Sequence, residues 1–458
     1  MSSDATGGVR LFARGRLADL DAGTEARLLD RAPTDDPGLA GSVAKLIADV
    51  RARGDGALVE MAERFDGVRL ERLEVPREDW ERAVDALDAG VRVALERAAD
   101  NIRRFHAAQI PADVSLEVEP GVRITRSWTP LGRVGVYAPG GRAAYPSSVL
   151  MGVVPAKAAG VADVVVCSPP GPIGAPPAEV LAACAIGGAD RLFAIGGAGA
   201  VAAMVYGTES VPAADAVVGP GNRWVTEAKR QVAGEVMIDS PAGPSEVLVL
   251  ADGDAYPRSV ALEVLAQAEH DPDAACVVIT TDEGLARDVE VALAELLAEA
   301  PRADICRRAL ATSGAVLIAD SLSSALDFVE RYAPEHLSVM TRGAAVDARA
   351  IRTAGTTFVG PAASVAFGDY MTGANHVLPT AGRARSFSGL STAHFVRSYT
   401  IQDIDASGAA SMAADVAILA EAEGLPGHAA AARAAGSLAT AGGGVPGGAT
   451  ARRRGDAS

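Results

Sequence analysis

Histidine is scarce in this chain: His106, His270, His336, His376, His394 and His428 are the full set in 458 residues. Four of them sit in short polar segments with carboxylates or amides. Gln267-Ala268-Glu269-His270-Asp271 closes a helix expected to begin near Arg258. Gln267 and His270, three apart, share one helix face. They can converge on one point, or form a surface patch whose imidazole complements the helix dipole. Ala333-Pro334-Glu335-His336-Leu337 sets a carboxyl beside an imidazole just before a strand. That pair can move protons near neutral pH, or serve as a solvated helix end. GDYMTGANHVLP (368–379) carries Asp369 and His376, either as site residues or as a polar loop capping the next element. In EGLPGH (423–428) the breaks at Gly424 and Gly427 put His428 on a turn. Together, four histidines with Asp369 and Gln267 point to a metal site with an acid–base pair.

Two glycine loops add a second chemistry. Gly197-Ala198-Gly199-Ala200-Val201-Ala202 is a GxGxxA between a strand and a helix. Such a turn either lets a pyrophosphate approach backbone N–H groups at a helix start or simply packs closely. Gly219-Pro220-Gly221-Asn222 again ends a strand and opens a helix, with Asn222 a candidate cap.

These residues need elements to hold them. Residues 1–132 read as mainly helical, with apolar spacing over Leu39–Arg53 and Trp80–Ile102, where Val84, Leu87, Val91, Val93 and Leu95 mark one face. From 133 the texture becomes βαβ. Strands are expected at Arg133–Ala138, Val161–Ser168, Arg191–Ile195 and Asp215–Val218, then at Glu246–Ala251, Ala275–Thr281, Ala315–Ala319, Leu337–Met340 and Thr356–Gly360. The fold class is α/β: two incomplete Rossmann-like open sheets (133–245 and 246–385), a helical N-terminal segment and a small C-terminal domain (386–435). Ligands are expected at strand carboxyl ends. An Ala-rich helix is expected at Ser411–Glu423, and the Gly- and Arg-rich stretch 436–458 reads as a disordered tail.

Composition narrows the function classes. Acids outnumber bases 58 to 42, which argues against nucleic acid as the main partner. Arginine supplies all but three of the bases (Lys45, Lys157 and Lys229 are the lysines), so arginine abundance carries little information. Cys167, Cys184, Cys276 and Cys306 form no CxxC pair, which excludes a cysteine-rich zinc module. The longest uncharged apolar stretch, Leu192–Thr208, is 17 residues of Gly/Ala-rich sequence, too short to span a bilayer. The start, MSSDATGGVR, has no apolar signal region, so a cytoplasmic location is expected.

The longer segments resemble the histidinol dehydrogenase family. They are GVYAPGG (135–141), YPSSVLM (145–151), GTESVP (207–212), GPGNRWVTEAKRQV (219–232), DSPAGPSEVLVLAD (239–252), LAQAEHD (265–271), APEHL (333–337), GDYMTGANHVLPT (368–380), SGLS (388–391) and EGLPGH (423–428). The resemblance runs from about 30 to 430. It implies a homodimer that oxidises L-histidinol to L-histidine through L-histidinaldehyde, the last steps of histidine biosynthesis, with one Zn2+ per subunit and two NAD consumed. By position, it implies Gln267, His270, Asp369 and His428 as zinc ligands, His336 as the base for the hydroxyl proton and Glu335 as the base that activates water. Ser147, Ser245, His376 and Glu423 would join the zinc ligands and His336 in contacting substrate. Tyr137, Gly199 and Asn222 occupy the cofactor-contact positions, and Gly199 replaces a glutamine common in the family. Glu423 and His428 would complete the partner subunit's site. Neither nucleic acid nor membrane is an expected partner. The rivals are a relative acting on another amino or sulfonated alcohol, a zinc hydrolase using Glu335 without NAD, and a non-catalytic zinc-binding protein. Nicotinamide absorbance separates the dehydrogenases from the others.

Overall fold

The computed structural model describes residues 9–31, 36–140 and 144–440. Gly141 of the GVYAPGG segment and everything from 441 onward lie outside the described residues. The chain divides into two compact units, one of residues 1–110 and 130–396, the other of 111–129 and 397–458.

Apolar, β-branched runs buried on both faces build two parallel sheets in the larger unit. The first holds, in spatial order, Arg191–Ala194, Asp163–Ser168, Arg133–Tyr137, Ala216–Val218 and Met237–Ile238. The second holds Ala13–Arg16, Gly314–Ile318, Ala275–Thr280, Glu246–Ala251, His336–Met340 and Thr356–Val359. Apart from the edge strand Ala13–Arg16, both sheets have one winding: third, second, first, fourth, fifth in chain order. This is the doubly wound α/β class. Each sheet has a crevice where its connections diverge, beside Arg133–Tyr137 in one and beside Glu246–Ala251 in the other.

Several expected boundaries differ. The N-terminal residues split between the sheets. The helices Pro37–Arg53 and Ala89–Ala107 contribute to the core of the first sheet, whereas Ala13–Arg16 and Leu28 of the helix Ala22–Leu29 join the second. Residues Val114–Glu119 and Val122–Pro130 are not helical. They are strands that share a three-stranded sheet with Val396–Ile404 in the smaller unit. The helix expected over Trp80–Ile102 breaks into Arg77–Ala86 and Ala89–Ala107, because Leu87 is extended and the Asp88 carboxylate caps Gly90 N and Val91 N. That break turns Val91 and Val93 out to solvent. The smaller unit also holds the helices Ala406–Ala422 and Pro426–Thr440. Pro426 starts the second of these at its first position, where a missing N–H costs nothing, so His428 lies on a helical turn. The helix also takes in Gly436, expected as the start of the tail; a Cβ there would fall 2.5 Å from Ala413 Cβ, so a side chain would prevent this close approach. Residues 441–458 of that expected tail lie outside the described residues.

At the first crevice a buried ion pair sets the loop after Ala216–Val218. Lys229 pairs with Asp239, their side chains 3% and 2% exposed. Lys229 Nζ donates to Gly219 O (2.9 Å), and Gly219 N donates to Asp239 Oδ2 (2.8 Å). Gly219 has φ +113°, and a Cβ there would lie 2.1 Å from Tyr137 O, so only glycine fits. The pair thus locks the 219–222 loop against the end of Arg133–Tyr137. Lys229→Met leaves the Asp239 carboxylate buried and unpaired, and should lower unfolding free energy by about 3–5 kcal/mol. The urea midpoint at unchanged m-value measures it; a loss below about 1 kcal/mol would remove the pair from any locking role.

Candidate active site

In the second sheet the chemistry gathers at the amino ends of the strands, not at the carboxyl ends expected from the general rule. His336 is the first residue of His336–Met340, Glu335 precedes it, and Ser245 precedes Glu246–Ala251. The connecting helices run opposite to the strands, so their C-terminal ends arrive at this edge. Gln267 lies in the last turn of Pro257–Ala268, with His270 two residues past its end; Asp369 is the penultimate residue of Val365–Tyr370. The two helices are tied by buried Glu263, whose Oε2 accepts a hydrogen bond from Val365 N (2.9 Å) at the start of the second.

Glu335 and His336 are 5% and 4% exposed. Glu335 Oε2 accepts from Glu246 N (2.7 Å), and His336 Nδ1 bonds Glu246 O (2.9 Å). A carbonyl oxygen only accepts, so Nδ1 carries the hydrogen and the lone pair of the neutral ring is on Nε2. That atom is buried without a hydrogen-bond partner, 3.6 Å from Asp369 Oδ1. Burial pushes the Glu335 carboxyl up to about 8, against the pull of His336 and the Glu246 amide. Burial opposes a charged His336, but the negative field of Glu335 and the Asp369 carboxylate outweigh it and raise the imidazole. Asp369, its side chain 16% exposed, is disfavoured as an anion by burial, yet His336 and the fields of His376 and His270 hold it below the usual range.

The segment 369–381 crosses between the sheets. His376 Nδ1 donates to Asp369 O (2.9 Å), which turns Nε2 toward Ser148 Oγ at 3.5 Å. Burial keeps this imidazole neutral more strongly than Asp369 charges it. Asn375 Nδ2 donates to Met151 O (2.8 Å) and Gly243 N to Thr380 Oγ1 (2.5 Å). The structure therefore brings Glu335, His336, Asp369, His376 and His270 into one electrostatic neighbourhood. Neighbouring Ser148 meets His376, while Ser147 is partly exposed on the first turn of Pro146–Ala158.

The remaining candidates lie elsewhere. Tyr137 ends its strand at the first crevice; its hydroxyl accepts from Gly197 N (3.2 Å), and burial pushes it up to about 12. That bond engages one of the amides a phosphate would need at the GxGxxA turn. Gly199 is buried within Gly197–Tyr206, where a Cβ would meet Met61 Sδ at 2.9 Å and Leu58 Cδ2 at 3.3 Å. Any side chain at Gly199 would therefore press on Met61 and Leu58. Asn222 is exposed and its Oδ1 caps Trp224 N and Val225 N, which leaves its NH2 outward. Glu423 and His428 are exposed in the smaller unit.

Sequence reasoning did not single out Arg31, Glu246, Glu263 or Ser148. One signal existed: Glu246 opens the otherwise wholly apolar strand EVLVLA, an acid where burial on both faces was already expected.

The chain matches the family model described as histidinol dehydrogenase over residues 29–435. It is 46% identical to the histidinol dehydrogenase of Methanothermobacter thermautotrophicus, an alignment covering 90% of this chain and 97% of the relative. It is 48% identical to that of Haloarcula marismortui, covering 90% and 97%. A crystal structure of histidinol dehydrogenase from Elizabethkingia anophelis superposes with TM-score 0.89 at 32% identity, covering 94% of this chain and 99% of that one. By these matches the chain belongs to the histidinol dehydrogenase family, whose members are oxidoreductases.

Proposed function

We propose that the chain catalyses the zinc- and NAD-dependent, four-electron oxidation of L-histidinol to L-histidine through L-histidinaldehyde. The observation that carries this reading is the buried Glu335–His336 pair: Nδ1 is held by the Glu246 carbonyl 3.5 Å from Glu335 Oε2, and Nε2 makes no hydrogen bond and faces Asp369 Oδ1 at 3.6 Å. Family membership supplies the substrate class.

The donor set fits a zinc ion. Gln267 is 4% exposed, yet its amide makes no hydrogen bond among the described residues. An amide that makes no hydrogen bond within the chain is available to a ligand. Gln267, His270 and Asp369 supply neutral oxygen, imidazole nitrogen and carboxylate oxygen, a set suited to zinc with room for substrate. The negative end of the Pro257–Ala268 dipole at this edge also favours a cation. Among the described residues no three His, Cys, Asp or Glu side chains form a metal-holding group. A composite site accounts for that, with the partner's His428 as fourth ligand and the partner's Glu423 against substrate. The exposed apolar side chains Val114, Leu116, Val118, Ile401 and Ile418 of the smaller unit support a homodimer. Tyr137 and Asn222, at the crevice of the first sheet, would hold NAD.

When bound, zinc would fix the substrate's imidazole and amino nitrogens and NAD would accept a hydride at each oxidation. His336, once neutral, takes the hydroxyl proton at Nε2 in the first step, its ring aimed by the Glu246 carbonyl. Glu335, once ionised, takes a proton from water, which adds to the aldehyde carbon before the second oxidation. His376 and Ser148 form a neutral wall that orients substrate without adding charge.

Three results test this. Each L-histidinol consumed should yield two NADH and one L-histidine, and a chelator should abolish turnover. One NADH with free aldehyde accumulating would reject the reading. His336→Asn should slow the alcohol step and Glu335→Gln chiefly the oxidation of supplied aldehyde, each by about 10²–10⁴-fold; equal losses in both half-reactions would reject the division. Finally, His428→Asn and Gln267→Ala each should lose zinc. Reassembled together, they should recover about a quarter of wild-type activity, because half of randomly paired dimers carry one intact site of two. No recovery despite subunit exchange would place all the ligands on one chain.

A further inference from the structure

One residue holds both members of the acid–base pair. The backbone N–H of Glu246 donates to Glu335 Oε2 at 2.7 Å, and its backbone carbonyl accepts from His336 Nδ1 at 2.9 Å. Its side chain is 3% exposed at the start of an apolar strand, so its charge needs full compensation. Arg31 supplies it: Nε meets Oε1 and Nη2 meets Oε2, both at 2.9 Å, the parallel two-bond geometry open only to arginine. The guanidinium is itself held. It donates to Leu28 O (2.9 Å), Leu29 O (3.1 Å) and Tyr332 O (2.9 Å), and lies 3.5 Å from the Tyr332 ring centroid. Glu246 Oε1 also accepts from Ala381 N at 2.7 Å, which fastens the end of the segment that carries Asp369 and His376.

We propose that the Arg31–Glu246 pair is the positioning device of the reaction: it fixes the residue whose two backbone groups orient Glu335 and His336, and anchors the 369–381 segment beside them. Neither residue is given a contact with substrate, and both act through others. Strand pairing alone does not do this. Glu246 is the first residue of its strand, and its N–H goes to Glu335 Oε2. A strand end held only by its ladder frays toward solvent, and a shift of about 1 Å at a reacting group can cost about 10²-fold in rate. The proposal deepens the dehydrogenase reading and rests on it.

The test uses the full-length, zinc-loaded protein. Glu246→Gln alone strands a buried guanidinium and is expected to misfold. The informative variant is the double substitution Arg31→Met with Glu246→Gln, which keeps size and removes both charges. Arg31→Lys keeps the charge and loses the two-bond geometry. With melting temperature and zinc content checked, the double variant should keep KM for L-histidinol within about 3-fold and lose about 10- to 100-fold in kcat. Arg31→Lys should fall between it and wild type. A folded, zinc-loaded double variant with kcat within about 2-fold of wild type overturns the proposal, and so does a loss confined to folded protein or to KM. A second readout is independent of the reaction: hydrogen exchange at the Glu246 amide, against that of Val249 in mid-strand. The double variant should speed exchange at Glu246 by about 10-fold or more and leave Val249 unchanged; equal protection at Glu246 in variant and wild type overturns the proposal. If the wild-type protein makes no NADH from L-histidinol, the dehydrogenase reading fails on its own, and the exchange result still decides the positioning role.

Discussion

Charge buried at one edge of a parallel sheet has to be compensated within a few ångströms, and the second sheet is organised around that requirement. Arg31, Glu246, Glu335 and His336 are nearly closed off from water, with Asp369 beside them. In such a medium an unpaired charge costs several kcal/mol, so each group is answered by another or by a backbone dipole. Glu246 answers most of them, through its carboxylate toward Arg31 and its backbone toward Glu335 and His336. What remains unanswered is informative. His336 Nε2 is closed off from water without a hydrogen bond, and Gln267, 4% exposed, makes no side-chain hydrogen bond among the described residues.

The edge in use follows from the helices. In both sheets the connecting helices run against the strands, so strand amino ends collect helix C-termini. At the second sheet these termini deliver Gln267, His270 and Asp369 with the negative ends of peptide dipoles, a setting that suits a cation. At the first sheet the crevice lies at the carboxyl ends, where Tyr137 and the glycine loop at 219 meet. Two sheets of the same winding thus offer opposite ends. The segment 369–381 spans them by way of Asn375 on Met151 and Thr380 on Gly243, so the two crevices share one piece of backbone.

Much of this was legible in the chain itself. Apolar runs punctuated by glycine and proline identified the central strands of both sheets to within a residue or two, whereas the short edge strands Ala13–Arg16 and Met237–Ile238 were not expected. Scarcity of histidine singled out His270, His336 and His376, which share one electrostatic neighbourhood, whereas His428 is exposed in the smaller unit. The misplaced features have local causes. Pro426 reads equally as a stop or as the first residue of a helix, and Gly436 reads as a tail when its role is to let Ala413 approach. Val114–Pro130 alternates weakly, with Val114, Leu116 and Val118 exposed.

The sequence by itself determined the α/β class, most of the strands from residue 133 onward and the family. Each is written in short-range pattern or in long motifs. Only the tertiary structure decided which strand end carries the chemistry, that Ser148 and not Ser147 meets His376, that Gly199 packs against Met61, and that Arg31 reaches across 215 positions to Glu246. Such facts depend on which distant segments share a low-dielectric space. A linear pattern states what each residue can do, and the partners that compensate its charge are assigned only when the chain has folded around them.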